Sequence, residues 1–373
     1  MNLPSKLLLV IPHLSGGGAE RVMALLACGL SAQKYELHLA LLTQAEPPAD
    51  VKLPPWVQIH ALGASRVRGA AMRLVRLARR IQPDLILSGI FHANFLVLLL
   101  RPFFPHGTHI LVRQNGTVSS ALDFGGLPWY TRLLYRLLYR RAEGVICQTK
   151  AMAFDLAQEL KLPMDCISVL ANPVDVEGIR ASVAKFEPRK ISDDHAPQLL
   201  AIGRLSREKG FDLLLGALAL LRAEVPKARL VIAGCGPEEA ALKAKCNALG
   251  IGEAVHFAGY LANPWAQFPD ATLLVVPSRQ EGLPNALLEA AAAGLPIVAT
   301  PASAGLMELL EGQPGVWLAP EITAEALAAS LLAALRRLQP GERFAHPFVE
   351  EFRMDRAIAA FERLIDQTIA AKP

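Results

Sequence analysis

Short apolar, partly β-branched runs recur along the chain. Most are followed by a glycine- or proline-bearing turn and then by a stretch with apolar residues at helical spacing. The runs predict buried parallel strands at Leu7–Pro12, Glu36–Leu42, from Leu85 onward, His109–Val112, Gly144–Cys147 and Ile167–Leu170. A second series begins at Leu199–Ile202 and continues with Arg229–Ala233, Val255–Phe257 and Leu273–Val276. Between them, Val22, Leu25, Leu26 and Leu30 share one helical face, and Leu74, Leu77 and Ala78 another. Helices are predicted from Ala19, over Ser65–Ile81, from Pro128, over Asn285–Ala293, and over 323–338 and 347–369. Ser88–Asn94 reads as a loop beyond a strand end. Residues 185–198 are polar and carry two prolines, which marks a domain boundary. Two rounds of β-α alternation then predict an α/β protein of two Rossmann-like, doubly wound domains, 1–185 and 186–345, with residues 346–373 as a terminal helical segment.

Composition adds little to the fold but changes the picture of partners. The chain has 373 residues, 52% of them hydrophobic, with a formal net charge of +4. That charge is unevenly placed. Residues 1–150 hold 17 Lys and Arg against 7 Asp and Glu, while the remaining residues hold 21 against 27. The first half therefore expects an anionic partner. The five cysteines are scattered and lack C-x-x-C spacing, so they read as buried thiols in a reducing compartment, with no zinc site. No apolar run reaches the roughly 20 residues of a spanning helix.

The candidate chemistry lies at strand ends. Residues 278–296 form a strand-loop-helix unit with Glu281 on the loop and Glu289 in the helix. Proline is favoured at the first helical position, so Pro284 marks the helix start. The N–H groups from Leu283 through Asn285 then make an anion site. Gly203-Arg204 and Glu208-Lys209-Gly210-Phe211 carry two cations across another strand end, where they can meet negative charge on a leaving diphosphate. Gly16-Gly17-Gly18 after the first strand fits close approach to a ligand, and a tight turn equally well. His92 and Asn115 lie at strand ends, where ligands gather in open α/β sheets.

Glu281 and Glu289, with Gly282, Pro284 and Gly294 between and after them, resemble the Glu-x7-Glu element of family 4 retaining glycosyltransferases with the GT-B fold. Gly17-Gly18-Ala19-Glu20-Arg21, the Gly-Arg-Leu…Glu-Lys-Gly-Phe run from Gly203 to Phe211, Gly234-Cys235-Gly236-Pro237, and Asn172-Pro173-Val174-Asp175 resemble further family motifs. The resemblance implies two Rossmann-like domains facing across a cleft, with the last helix crossing back to the N-terminal domain. It implies donor contacts at Gly17, Gly18, Gly203, Gly234, Pro237, Gly282, Leu283, Pro284, Asn285 and Glu289. It further implies catalytic roles for His92, Arg204, Lys209 and Glu281, the last facing the sugar ring, with Glu289 on the ribose hydroxyls.

Two arginine-rich segments remain. Ser65–Ile81 carries six arginines and no acidic residue, and Tyr130–Arg141 interleaves Leu, Tyr and Arg, including Arg136 and Arg140. The second reads either as a core-facing helix with snorkelling arginines or as a basic helix on an anionic bilayer. The expectation is a metal-independent hexosyltransferase without a cofactor, using a nucleotide sugar, UDP in preference. Its acceptor is a glycan or lipid-linked, and it sits in the cytoplasm at the inner face of the membrane, with no nucleic-acid partner. A sugar-nucleotide epimerase or hydrolase of the same fold would turn donor over without acceptor. A non-enzymatic basic membrane-binding protein would leave Glu281, Glu289, Arg204 and Lys209 unexplained.

Overall fold

A computed structural model describes residues 3–14, 17–44, 52–119, 130–185 and 196–371. The chain divides into two compact units, Met1–Pro173 with Glu351–Pro373, and Val174–Glu350.

Unit 1 is built on a parallel sheet of order β3-β2-β1-β4-β5-β6-β7. Its strands are β1 (Ser5–Ile11), β2 (Tyr35–Thr43), β3 (Gln58–Ala64), β4 (Leu85–Ser88), β5 (His109–Arg113), β6 (Gly144–Cys147) and β7 (Ile167–Val169). Central strands are covered on both faces, so they read as unbroken apolar runs; Leu7 to Ile11 have no exposed surface. β3 escapes this pattern. It is an edge strand, its Ile59 is exposed, and Gln-Ile-His-Ala-Leu-Gly-Ala carries no apolar run for the sequence reading to find. The helices are α1 (Gly18–Gly29), α2 (Ala71–Ile81), α3 (Phe91–Leu100), α4 (Thr131–Tyr139) and α5 (Lys150–Leu160). Pro128, where the sequence starts a helix, lies outside the described residues, as do Ser15 and Gly16. Ser88–Asn94 is not one loop. A helix begins at Phe91, and its almost wholly apolar sequence hides the helical period.

Unit 2 has the order β10-β9-β8-β11-β12-β13, again parallel. The strands are β8 (Gln198–Ile202), β9 (Arg229–Ala233), β10 (Val255–Gly259), β11 (Leu273–Val276), β12 (Ile297–Ala299) and β13 (Val316–Leu318). Its helices are α6 (Val176–Ala184), α7 (Phe211–Glu224), α8 (Glu239–Ala248), α9 (Pro264–Gln267), α10 (Asn285–Ala292), α11 (Ala304–Leu310) and α12 (Ala324–Arg337). A boundary at 185 is corrected here: α6 is capped by Asp175, which accepts from the Gly178 N–H at 3.0 Å, and packs on α9 and α10 of this unit. The final helix, α13 (Met354–Ala370), completes unit 1 instead. It buries Ile358, Phe361 and Ile365 in the same core as Leu30 and Tyr35. Its Glu362 accepts from the Ser31 N–H at 3.0 Å and from Lys34 Nζ at 2.8 Å. All five cysteines are free, and only Cys147 and Cys246 are buried; Cys166 and Cys235 are exposed, so the expectation of uniformly buried thiols does not hold. Among the described residues no helix is long and apolar enough to cross a membrane.

Candidate active site

In unit 2 the strand order reverses between β8 and β11, and ligands of open α/β sheets bind at such a reversal, beyond the carboxyl ends of the strands. The two loops leaving β8 and β11 are braced against each other. The Arg279 guanidinium donates to both Asp212 carboxylate oxygens, at 2.6 and 2.7 Å, and to the Arg207 carbonyl at 2.9 Å. The Arg279 N–H donates to the Glu208 carbonyl at 2.8 Å. The hydrogen bonds from Arg279 hold the Asp212 carboxyl below its ordinary pKa, and Asp212 in turn raises that of Arg279. From the far side, the Thr300 hydroxyl donates to the carbonyls of Val276 and Ser278, at 3.2 and 2.5 Å.

This bracing brings Lys209 and Glu281 together. The Lys209 ammonium contacts Glu281 Oε1, and the Ser278 hydroxyl donates to the same oxygen at 2.8 Å. Arg204, on the same loop as Lys209, is exposed. The cation meant for a diphosphate and the carboxylate meant for a sugar are thus one ion pair, which the sequence kept apart. Pro284 caps α10 in an extended conformation, so the helix starts one residue later than proline's usual preference predicts. Gly282, Leu283 and Pro284 are buried and Asn285 partly so. Glu289 faces inward, is only 8% exposed, and accepts from Trp265 Nε1 at 3.2 Å. Trp265 was not a sequence candidate. The signal was Asn263-Pro264 before it: the Asn263 side chain accepts from the Ala266 N–H at 3.2 Å, with proline at a helix start.

Two glycines of this site have a steric reason to be glycine. Gly234 has φ +145°, and a Cβ there would lie 1.9 Å from the Gly203 carbonyl oxygen. A Cβ on Gly210 would lie 2.0 Å from the Pro277 carbonyl oxygen. Gly203 itself has room for one, its nearest contact being 3.7 Å away. Pro237, just beyond on the same β9 loop, is exposed.

Unit 1 reverses its order between β1 and β4. Gly17 caps α1 in ordinary extended backbone, φ −79°, so its conformation does not require glycine. The Glu20 carboxylate fills the space a side chain would take, and it lies 3.7 Å from the His13 ring. Gly18 is the first residue of α1. His92 stands exposed in the first turn of α3, against the Phe91 ring. At the end of β5 lies a cluster that includes Asn115. Arg113 is 1% exposed, and burial pulls its guanidinium down to about 10. It donates to the side-chain oxygens of Asn115 and Asn172, and Asn115 donates onward to the Gly89 carbonyl. No carboxylate pairs with Arg113 among the described residues. Asn94 donates to the Arg113 carbonyl at 2.9 Å, and Tyr139 donates to Gln114 at 2.8 Å.

The α4 helix divides the expectations placed on it. Tyr135 and Tyr139 are core residues, each 1% exposed, and pack among Phe91 and Phe95. Arg136 donates to the Glu159 carbonyl at 2.9 Å and so serves the end of α5 rather than an outer surface. Arg140 is exposed. So are Leu133 at 53% and Leu137 at 54%, which a core-facing helix would bury. Among the described residues no cluster of three His, Cys, Asp or Glu is arranged to hold a metal ion.

Two family profiles match, "Glycosyltransferase Family 4" over residues 16–177 and "Glycosyl transferases group 1" over 183–345. An uncharacterized glycosyltransferase of Haemophilus influenzae is 35% identical over 327 residues, 85% of this chain and 86% of the relative. The chain belongs to glycosyltransferase family 4. Another relative of this transferase is 28% identical over 318 residues, 82% of this chain and 83% of its own. It is the Campylobacter jejuni N-acetylgalactosamine-N,N'-diacetylbacillosaminyl-diphospho-undecaprenol 4-alpha-N-acetylgalactosaminyltransferase. In three dimensions the transferase matches Anabaena HepE in complex with UDP and glucose, with TM-score 0.76 and 18% identity, covering 99% of this chain and 100% of that one. The fold is therefore GT-B, with two Rossmann-like units.

Proposed function

We propose that this glycosyltransferase is a metal-independent, retaining enzyme that moves a hexose or N-acetylhexosamine from a UDP-sugar to a lipid-linked or glycan acceptor. The observation that carries this reading is the Lys209–Glu281 pair with Ser278, set between braced loops beside the start of α10. Fixed positive charge aimed at a leaving group is usually the largest part of catalysis. Arg204, Lys209 and the α10 amides would receive the diphosphate, and Glu281 the sugar hydroxyls. Glu289, held by Trp265, would accept from the ribose. The bond from the anomeric carbon to the phosphate oxygen breaks as the acceptor oxygen bonds to the same face. The acceptor proton passes to the departing diphosphate oxygen, so no enzyme nucleophile is needed. UDP is favoured because HepE, of the same fold, binds it, and a lipid diphosphate acceptor because the Campylobacter relative is named for one.

A thermal-shift panel of nucleotide sugars tests the donor. A ligand at about 100 times its dissociation constant adds roughly 2.7 kcal/mol of stability. UDP-hexoses or UDP-N-acetylhexosamines should raise the melting temperature in the wild type and less in Lys209→Ala. No response to any nucleotide sugar would sink the reading. Turnover of the donor at full rate without any acceptor would replace it with an epimerase or hydrolase.

The enzyme would work at the inner face of the cytoplasmic membrane. Exposed Leu133, Leu134 and Leu137 on α4, with exposed Arg140 just after its end, support a reversible anionic-lipid contact. Flotation with anionic vesicles should carry the protein, and Leu137→Asp with Arg140→Glu should abolish this. A protein that stays in the soluble fraction at low salt would point to a soluble acceptor.

A further inference from the structure

The edge of the unit 1 sheet holds a concave, strongly basic place. A cavity of about 520 Å³ is lined by His60, Ala61 and Leu62 of β3 and by Arg73, Arg76, Leu77 and Arg80 of α2. Its size falls within the roughly 300–1,000 Å³ of small-molecule pockets. His60 sits in the middle of the edge strand, two turns of pleat before its carboxyl end. The three arginines follow i, i+3, i+7 spacing, which puts them on one helical face. No carboxylate lines the cavity. The Arg73 guanidinium donates to the Leu62 carbonyl, which fixes one cation against the strand. Arg76 and Arg80 make no ion pair among the described residues.

Beneath the arginines, a hydrogen-bonded row holds the histidine in place. His38 and His60 extend from the same face of neighbouring strands, since His60 pairs with Ala40, two residues from His38. Their rings stack, with His38 Nδ1 3.0 Å from His60 Nε2 and His38 Nε2 3.1 Å from Glu36 Oε1. With Glu36 ionised, its carboxylate accepts from His38 Nε2, so His38 Nδ1 accepts from His60 Nε2. This leaves His60 Nδ1 as the ring nitrogen able to take a proton. Burial holds both histidines below their ordinary pKa, and the charge of Arg80 adds to this. Neutral histidine rings and three guanidiniums give the cavity a formal charge of about three positive.

Such a set has a definite complement. Guanidinium forks match phosphoryl oxygens two at a time, and several forks converging on one space suit a group with more than one negative charge. A lone carboxylate would leave most of the donors unused. We propose that the cavity between β3 and α2 binds a phosphoryl group of two or more negative charges, a phosphate monoester or diphosphate, either free in solution or as the headgroup of a lipid.

The test uses the full chain and the double variant Arg76→Gln/Arg80→Gln. These two side chains are exposed, so their loss leaves the core untouched. Inorganic pyrophosphate is titrated with UDP present in excess, which keeps the family's donor site filled. In parallel, retention is measured on phosphatidylcholine vesicles with and without phosphatidic acid. Wild-type binding of pyrophosphate, weakened about tenfold or more in the variant with UDP affinity equal in both, establishes the site and a soluble source. Retention on phosphatidic acid vesicles that the variant loses, with no difference towards pyrophosphate, establishes the site and a lipid source. If the two proteins are indistinguishable in both arms, the proposal is overturned.

Discussion

The two strand-order reversals of this molecule are built on different principles. In unit 2 the site is made by loops that brace one another: Arg279 ties β11's loop to β8's, and Gly234 and Gly210 let backbones touch. Lys209 pairs with Glu281 and Arg279 with Asp212, all partly open to solvent, and Arg204 is exposed. In unit 1 the loops at the reversal leave Gly18 and His92 exposed, and the buried polar cluster sits one strand over, at the end of β5. Arg113 keeps an almost wholly desolvated charge among amides, with unsatisfied polar atoms at Ser88 Oγ, Asn94 Oδ1 and Gln148 Oε1 nearby. The first arrangement suits the diphosphate of the proposed donor. The second holds a desolvated charge with no carboxylate partner among the described residues, and such perturbed groups cluster at functional sites.

The largest expected effect separates the two regions outright. Lys209→Ala or Arg204→Ala should lower turnover by roughly 10²–10³-fold, the scale of one preorganised transition-state contact, with the fold intact by circular dichroism. Near-wild-type turnover in both variants would mean that charge at the unit 2 loops is not what drives the reaction. The same logic predicts that EDTA leaves transfer intact, because on the proposed reading these cations supply the charge. Loss of activity restored by Mn²⁺ would overturn that.

Next in size is Gly234→Ala. The φ of +145° and the 1.9 Å approach to the Gly203 carbonyl leave no room for a methyl group. Strained backbone of this kind costs about 1–3 kcal/mol. A lowered melting temperature together with weaker UDP-sugar binding is expected, whereas Gly203→Ala should be mild. Equal behaviour of the two would remove the steric account of the loop.

The same contrast explains what could be read from sequence. Unit 2 was legible because its chemistry lies in short local runs. Gly203 to Phe211 and Glu281 to Glu289 carry their glycines, cations and carboxylates at fixed spacing. The strands were legible because parallel strands buried on both faces are unbroken apolar runs. The ion pair between Lys209 and Glu281 was not, since it joins residues far apart in sequence through the Arg279 brace. The enclosure of Arg113 was not legible for a related reason: a strand-end arginine gives no local sign that Asn115 and Asn172 will enclose it. β3 was missed because an edge strand need not be apolar, and α3 because an all-apolar helix shows no period.

Arg113→Met sharpens the unit 1 side. Removing the desolvated guanidinium offsets the loss of its hydrogen bond to the buried Asn172 side chain. The melting temperature should stay level or rise, while kcat/KM for the acceptor falls about tenfold, near 1.4 kcal/mol, and donor affinity is unchanged. A large fall in stability with unchanged acceptor kinetics would make Arg113 a structural residue only.

The smallest effect concerns the brace itself. Asp212 has its pKa lowered below the ordinary 3.8, chiefly by the hydrogen bonds from Arg279. A carboxyl with a depressed folded-state pKa contributes stability that is present above its unfolded value and is lost as pH falls through the folded one. The Asp212 side chain is 39% exposed, so solvent screens the pair and its worth is about 0.5–1 kcal/mol. Asp212→Asn should therefore melt slightly below the wild type at neutral pH, and the gap should close as pH drops beneath 3.8. If the brace also sets the Lys209–Glu281 geometry, the variant should raise the KM for donor more than its small stability loss accounts for, and leave that for acceptor alone. A gap in melting temperature that persists at low pH, with both KM values unchanged, would show that the two loops hold their places without this ion pair. Their rigidity would then come from the Gly210–Pro277 contact and the Thr300 hydrogen bonds.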